Sequence, residues 1–148
     1  MTAAPLWRIE CEADVVCARG EAQKWLESRG VSRVLAAETA LIVSELGQNI
    51  VKYGKLGSIQ LRWNAQKRGD LDIEATDSGP GFSDLNRARM DGTTSAGPLV
   101  RADGSCRSQA LGLGLGLGAV ERLSRRMSLR NRPEGGAQIL VQKMLYPG

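Results

Sequence analysis

The 148-residue chain predicts an α+β fold in which a largely antiparallel sheet carries helices on one face. Two observations predict it. Two amphipathic helical segments come early and close together, Asp14 to Ser28 and Ser32 to Tyr53. Pairs of short, alternating apolar segments around glycine-containing turns then follow, as antiparallel hairpins do. No linker or internal repeat divides the chain, so one domain over residues 1–148 is expected, long enough to bury a core without staples.

Leu6 to Cys11 reads as a short strand. The helix from Asp14 carries Val15, Val16, Ala22, Trp25 and Leu26 and stops at Gly30. Ser32 is an N-cap for the second helix, and Gly54 is read as its left-handed stop. Gly47, inside that helix, costs about 1 kcal/mol against Ala, which close approach of another backbone or a ligand would justify. Ser58 to Gln66 and Asp70 to Thr76 read as strands around Lys67-Arg68-Gly69. A short helix is expected near Ser83 to Met90, and Asp91 to Ala110, rich in small residues with Arg101 and Arg107, reads as a long loop of the kind that closes over sites. Ala119 to Arg126 is a helical candidate. Met127 to Asn131, the turn Pro133-Glu134-Gly135-Gly136 and Gln138 to Leu145 form a last hairpin.

Composition excludes several chemistries. There is no histidine, which removes histidine triads, histidine metal ligands and a phosphorylated histidine within this chain. Three cysteines without metal-ligand spacing give neither a disulfide framework nor a zinc site. The formal charge of +4 is scattered, so no nucleic-acid partner is expected. No apolar run is read as spanning a bilayer and Met1 to Trp7 is unlike a signal peptide, so the expectation is a cytoplasmic chain with no membrane partner.

Three clusters carry chemistry. On the second helix, Glu45 and Asn49 stand one turn apart and project the same way, beside the apolar arc of Leu35, Ile42, Leu46, Ile50 and Tyr53. A half-buried carboxylate and amide need partners, and a hydrated cation with its phosphates would satisfy both. Asp77 closes the second hairpin strand and leads into Ser78-Gly79-Pro80-Gly81-Phe82, where glycines let a flat ligand approach. Gly112, Gly114, Gly116 and Gly118 alternate with leucines ahead of a helix, an arrangement that turns backbone N–H groups onto phosphates. Their spacing departs from the Walker and Rossmann patterns.

In this order the clusters resemble the ATP-binding fold shared by gyrase, the Hsp90 chaperone, sensor histidine kinases and DNA-mismatch MutL proteins. Glu45 to Tyr53 resembles that family's N box, Asp77 to Phe82 its first glycine box and Gly112 to Gly118 its second. Within it the chain is most similar to the small bacterial serine/threonine kinases of the RsbT switch-kinase and anti-sigma-factor group. The similarity includes Trp7-Arg8-Ile9, Asp14-Val15-Val16-x-Ala18-Arg19, Ser44-Glu45-Leu46-x-x-Asn49-Ile50, Gly112-Leu113-Gly114-x-Gly116-Leu117 and Val120-x-Arg122-Leu123.

The resemblance implies a two-layer sandwich of the Bergerat type, a mostly antiparallel mixed sheet with helices on one face. It implies ATP and Mg²⁺, with Asn49 as metal ligand, Glu45 accepting the substrate hydroxyl's proton and Asp77 bonding the adenine amino group. Gly79 and Gly81 would flank the base, and Lys52, Gly112, Gly114 and Gly116 would serve the nucleotide. The implied activity is phosphorylation of a small STAS-domain antagonist in a partner-switching pathway, with a sigma factor, a PP2C-type phosphatase or a second copy as further partners. Sequestration of a sigma subunit and a nucleotide-free scaffold are the alternatives. Two departures stand out: Ala137 occupies a place where the family often has threonine, and the Asp91 to Ala110 loop is longer than in the closest switch kinases.

Overall fold

The computed structural model describes residues 4–64, 69–82 and 116–146. In chain order these form β1 (Leu6–Ile9), α1 (Glu12–Ser28), α2 (Arg33–Asn49) running into a π-helical turn (Ile50–Gly54), β2 (Gly57–Trp63), β3 (Asp70–Asp77), α3 (Leu117–Leu123), β4 (Arg126–Asn131) and β5 (Ala137–Met144). The strands make one sheet in the order β1-β2-β3-β5-β4, with every neighbouring pair antiparallel. The expected α+β arrangement is therefore present. The helix expected at Ser83 to Met90, the loop Asp91 to Ala110, and Lys67-Arg68 of the hairpin turn lie outside the described residues.

The helix ends follow their caps. At the start of α1 the Asp14 carboxylate accepts hydrogen bonds from the backbone N–H of Glu10 (2.9 Å) and Cys11 (3.3 Å). These bonds, the one from Glu10 foremost, hold its pKa below the ordinary value of 3.8. This cap therefore contributes fully above the ordinary carboxylate range and is lost as pH falls through the lowered value. Gly30, at φ +84°, ends the turn after α1, and Ser32 Oγ accepts from Leu35 N at 3.2 Å to start α2.

Helix α2 packs between α1 and α3 and against the strands. Its Ile42, Val43 and Leu46, with Ile50 just beyond, are 0–1% exposed, each such side chain stabilising the fold by about 1.5–3 kcal/mol. Val15, Ala18, Ala22 and Leu26 of α1 join the same core. Arg33–Gly54 spans 22 residues at a hydropathy of 1.2, a length and composition that a core helix shares with a membrane span. Here that apolar surface is the core of the domain. Gly47 is required by α1 rather than by a backbone or ligand: a Cβ there would lie 2.9 Å from Val15 Cγ1.

Most boundaries shift by one to three residues from expectation, and two of the shifts have a visible cause. Gly54 is not left-handed; the residue with positive φ is Lys55, at 64°, and the helix widens into its π turn before stopping there. Helix α3 ends at Leu123 because Arg125 N donates to Gln142 O at 2.7 Å, pulling the chain into the sheet.

Along β3, Leu71, Ile73, Ala75 and Asp77 are buried while Asp72, Glu74 and Thr76 alternate with them and are half-buried. The outer sheet face is polar and tied across strands, with Gln138 Nε2 donating to Glu74 Oε2 at 2.8 Å and Arg62 within 3.6 Å of the same oxygen. One charge points inward on β5: Lys143 Nζ, 5% exposed as a residue, donates to Glu38 Oε1 (2.5 Å) and to Leu123 O (2.7 Å). A buried ammonium requires such partners, and these join β5 to α2 and to the last turn of α3.

Candidate functional site

The site grows from the middle of the core. Glu45 and Asn49 lie on α2 with 7% and 1% exposure, deeper than the half-buried setting expected, because α2 is flanked on both sides and its edges are covered as well as its apolar arc. Four residues of helix separate them by about 6 Å along the axis. The Oδ1 of Asn49 is buried and has no hydrogen-bond partner. Leaving such an acceptor unpaired costs about 1–3 kcal/mol, a cost that a ligand donating or coordinating there removes.

Just past Asn49 the helix widens, and glycines on both sides bring the second motif against it. Strand alternation turns Asp77 to the helix side of the sheet, where it is 3% exposed. A Cβ on Gly54 would lie 2.6 Å from Asp77 Cγ and 2.7 Å from its Oδ2, so only glycine leaves room for that carboxylate. A Cβ on Gly79 would lie 2.6 Å from Tyr53 O, which locks the segment after β3 onto the π turn. The Asp77 Oδ1 accepts from Gly79 N at 2.9 Å and from Ala137 N at 3.2 Å. Ala137, which stands where the family often has threonine, thus contributes its backbone N–H to the carboxylate.

The turn between β4 and β5 forms a third wall. Gly135 and Gly136 both have positive φ, 105° and 89°, and a Cβ on Gly136 would lie 1.8 Å from Asp77 O. Gly136→Ala is expected to destabilise the protein by more than about 3 kcal/mol, combining a strained backbone with overlap against β3, as read by denaturant unfolding. A stability unchanged within experimental scatter would mean that this turn is not seated on Asp77.

Of the residues singled out in the sequence, Glu45 and Asn49 are buried together on α2, while Asp77, Gly79 and Gly81 are gathered at the end of β3 and joined to α2 through Gly54 and Tyr53. Lys52 is on the π turn but exposed, so it is not part of the buried group. Gly116, φ 112°, caps the start of α3, and Gly112 and Gly114 lie outside the described residues. The sequence reading missed Asn131, Arg132 and Gly136. The doubled glycine was their signal, since two successive positive-φ residues mark a turn shaped to fit a neighbour.

Among the described residues no group of three or more His, Cys, Asp or Glu side chains is placed to hold a metal ion. The donors present, one buried amide oxygen without a partner and a nearby buried carboxylate, fit a cation that keeps its waters and takes its other oxygens from phosphates, as Mg²⁺ does. The carboxylate at the end of β3, beside glycines that leave the backbone bare, fits a planar ligand presenting an amino group.

Comparison with known proteins identifies the family and the fold. A family model described as the histidine kinase-like ATPase domain matches residues 10–143. The serine/threonine-protein kinase RsbT of Bacillus subtilis is 32% identical over 139 residues, covering 93% of this chain and 94% of that one. A chain of the SiaB-SiaC complex from Pseudomonas aeruginosa superposes with a TM-score of 0.59 at 16% identity, over 94% of this chain and 88% of that one. The catalytic domain of histidine kinase ThkA gives 0.51 at 11% identity, over 97% and 99%. At those identities the two structures show a shared fold.

Proposed function

Since the chain belongs to the histidine kinase-like ATPase domain family, we propose that it is an ATP-dependent serine/threonine protein kinase, acting in the cytoplasm as one domain on a small STAS-type antagonist. The observation that carries this reading is the unpaired Asn49 Oδ1, one turn from a buried carboxylate and joined through Gly54 to Asp77. The naming of a 32%-identical relative as a serine/threonine kinase supports the choice of acceptor, and the STAS partner is carried by the similarity to switch kinases.

Phosphoryl transfer asks a protein mainly to position phosphates and a nucleophile and to stabilise charge. Asp77 orients the nucleotide through its base. Asn49 would be the protein's ligand to Mg²⁺, which supplies neutralisation of phosphate charge when bound. Glu45 accepts the proton of the substrate hydroxyl as its oxygen bonds to the γ-phosphorus and the bond to the β,γ-bridging oxygen breaks, releasing ADP.

Asp77→Asn tests the base contact with little disturbance of the fold. Asparagine keeps the oxygen that Gly79 and Ala137 use, and replaces the oxygen that lies toward Gly54 by an amino group. A hydrogen bond to a charged group is worth about 1.5–3 kcal/mol, so ATP affinity is expected to fall by ten- to roughly a hundredfold in calorimetry. Undiminished affinity in the folded variant would remove Asp77 from the nucleotide pocket. The kinase reading itself is tested by capturing partners of the protein from its native cells and incubating them with γ-labelled ATP. Phosphoserine or phosphothreonine on a captured STAS-type protein is expected; stoichiometric capture of a sigma subunit without label would favour sequestration instead.

A further inference from the structure

We propose that Asn131 and Arg132, at the end of β4, are positioning residues for base recognition, holding Asp77 and the Gly79-to-Phe82 segment in the arrangement that selects a 6-aminopurine. The identity of the ligand rests on the kinase reading above. Both residues act through Asp77 and Phe82, and neither is assigned a ligand contact.

Asn131 makes two hydrogen bonds to the backbone of one residue: its Oδ1 accepts from Phe82 N at 2.8 Å and its Nδ2 donates to Phe82 O at 2.9 Å. A carboxamide used this way takes the place of a strand partner and pins the glycine segment at its far end. The fit is close, because Gly81 has φ +76° and a Cβ on it would lie 2.6 Å from Asn131 Oδ1. Clamp and glycine require one another.

Arg132 acts on the near end. Its Nη1 donates to Asp77 O at 2.9 Å, its Nε lies 3.2 Å from Glu134 Oε1, and its backbone N–H donates to Gly136 O at 2.9 Å. A planar guanidinium serves a carbonyl and a carboxylate from different nitrogens held rigidly in one plane, a fixed geometry that the single ammonium of a lysine lacks. Asp77 is thus gripped at its carbonyl by Arg132 and at its carboxylate by the amides of Gly79 and Ala137. Recognition of an amino group depends on carboxylate direction to within about 10–20°, and these contacts fix the backbone from which that direction is set. The Asp70 carboxylate at the other end of β3, paired with Arg125 at 3.0 Å, has no such contacts from the β4–β5 turn among the described residues.

The test compares Mg·ATP with Mg·purine riboside triphosphate, the same nucleotide without the 6-amino group, by calorimetry on the unaltered protein and on Arg132→Met, Arg132→Lys and Asn131→Ala. The unaltered protein is expected to prefer ATP. Arg132→Met and Asn131→Ala are expected to lower that preference about tenfold, through ATP affinity alone, with Arg132→Lys recovering part of it. Should Asn131→Ala fail to fold, Asn131→Asp keeps the acceptor for Phe82 N and reads the same ratio. A merely structural role would weaken both triphosphates alike, and that result, or an unchanged ratio, overturns the proposal while leaving the kinase reading intact. Equal affinity of the unaltered protein for the two triphosphates removes the base contact and the proposal with it. Absence of any ATP binding overturns the kinase reading itself.

Discussion

Asn49→Ala is expected to weaken Mg·ATP binding and abolish phosphate transfer, while leaving the ligand-free protein at least as stable as its parent. The two halves of this result come from one atom. Asn49 Oδ1 is buried without a hydrogen-bond partner, an arrangement that costs the free protein about 1–3 kcal/mol and is retained only if something else meets that oxygen. Alanine removes the unpaired acceptor along with the metal ligand, so stability and function should move in opposite directions, as they do where a site is kept at the expense of the fold. A residue that merely filled the core would show the reverse, a loss of stability with nucleotide binding untouched. Denaturant unfolding without ligand and calorimetry with Mg·ATP read the two halves separately.

Glu45→Gln is expected to leave ATP affinity near that of the parent while phosphorylation of the partner falls by about 10² to 10⁴-fold. The carboxylate is 7% exposed and one turn from Asn49, and glutamine preserves its volume and part of its hydrogen bonding. What it removes is the capacity to take the hydroxyl proton as the new bond to phosphorus forms. Partner binding should survive, since so buried a side chain cannot form part of a docking face. Transfer at the parental rate would remove Glu45 as general base and leave the site resting on Asn49 and Asp77.

Much of this was legible in the sequence because it is written in short-range patterns. The four-residue spacing of Glu45 and Asn49 determines that both face one way, and the alternation Leu71, Ile73, Ala75 carries Asp77 to the same side of the sheet as the helices. Ser32 and Gly30 announce their helix ends by capping chemistry that is local to a few residues.

What escaped depends on contacts distant in sequence. Gly54 was read as a left-handed stop, but its role is set by Asp77, whose side chain fills the space of a Cβ there; the stop falls on Lys55. Gly47 answers to Val15 on another helix. Asn131 reads only as the end of a strand and Arg132 precedes the turn without a role, because the doubled glycine marks a shaped turn but does not reveal that Phe82 and Asp77, 49 and 55 residues away, are their partners. The burial of Glu45 was underestimated for the same reason, since helical periodicity describes one face of α2 and not the helices that cover its edges.

If Asn49 on α2 and Asp77 on β3 line one pocket for Mg·ATP, their substitutions act on a single binding event in different ways. Calorimetric titration of the unaltered protein, Asn49→Ala and Asp77→Asn with ATP, with and without Mg²⁺, reads that event. One site per chain is expected that tightens with Mg²⁺, loses that Mg²⁺ dependence in Asn49→Ala, and keeps it at weakened affinity in Asp77→Asn. Binding that is absent in the unaltered protein, or identical in all three, would contradict a shared pocket.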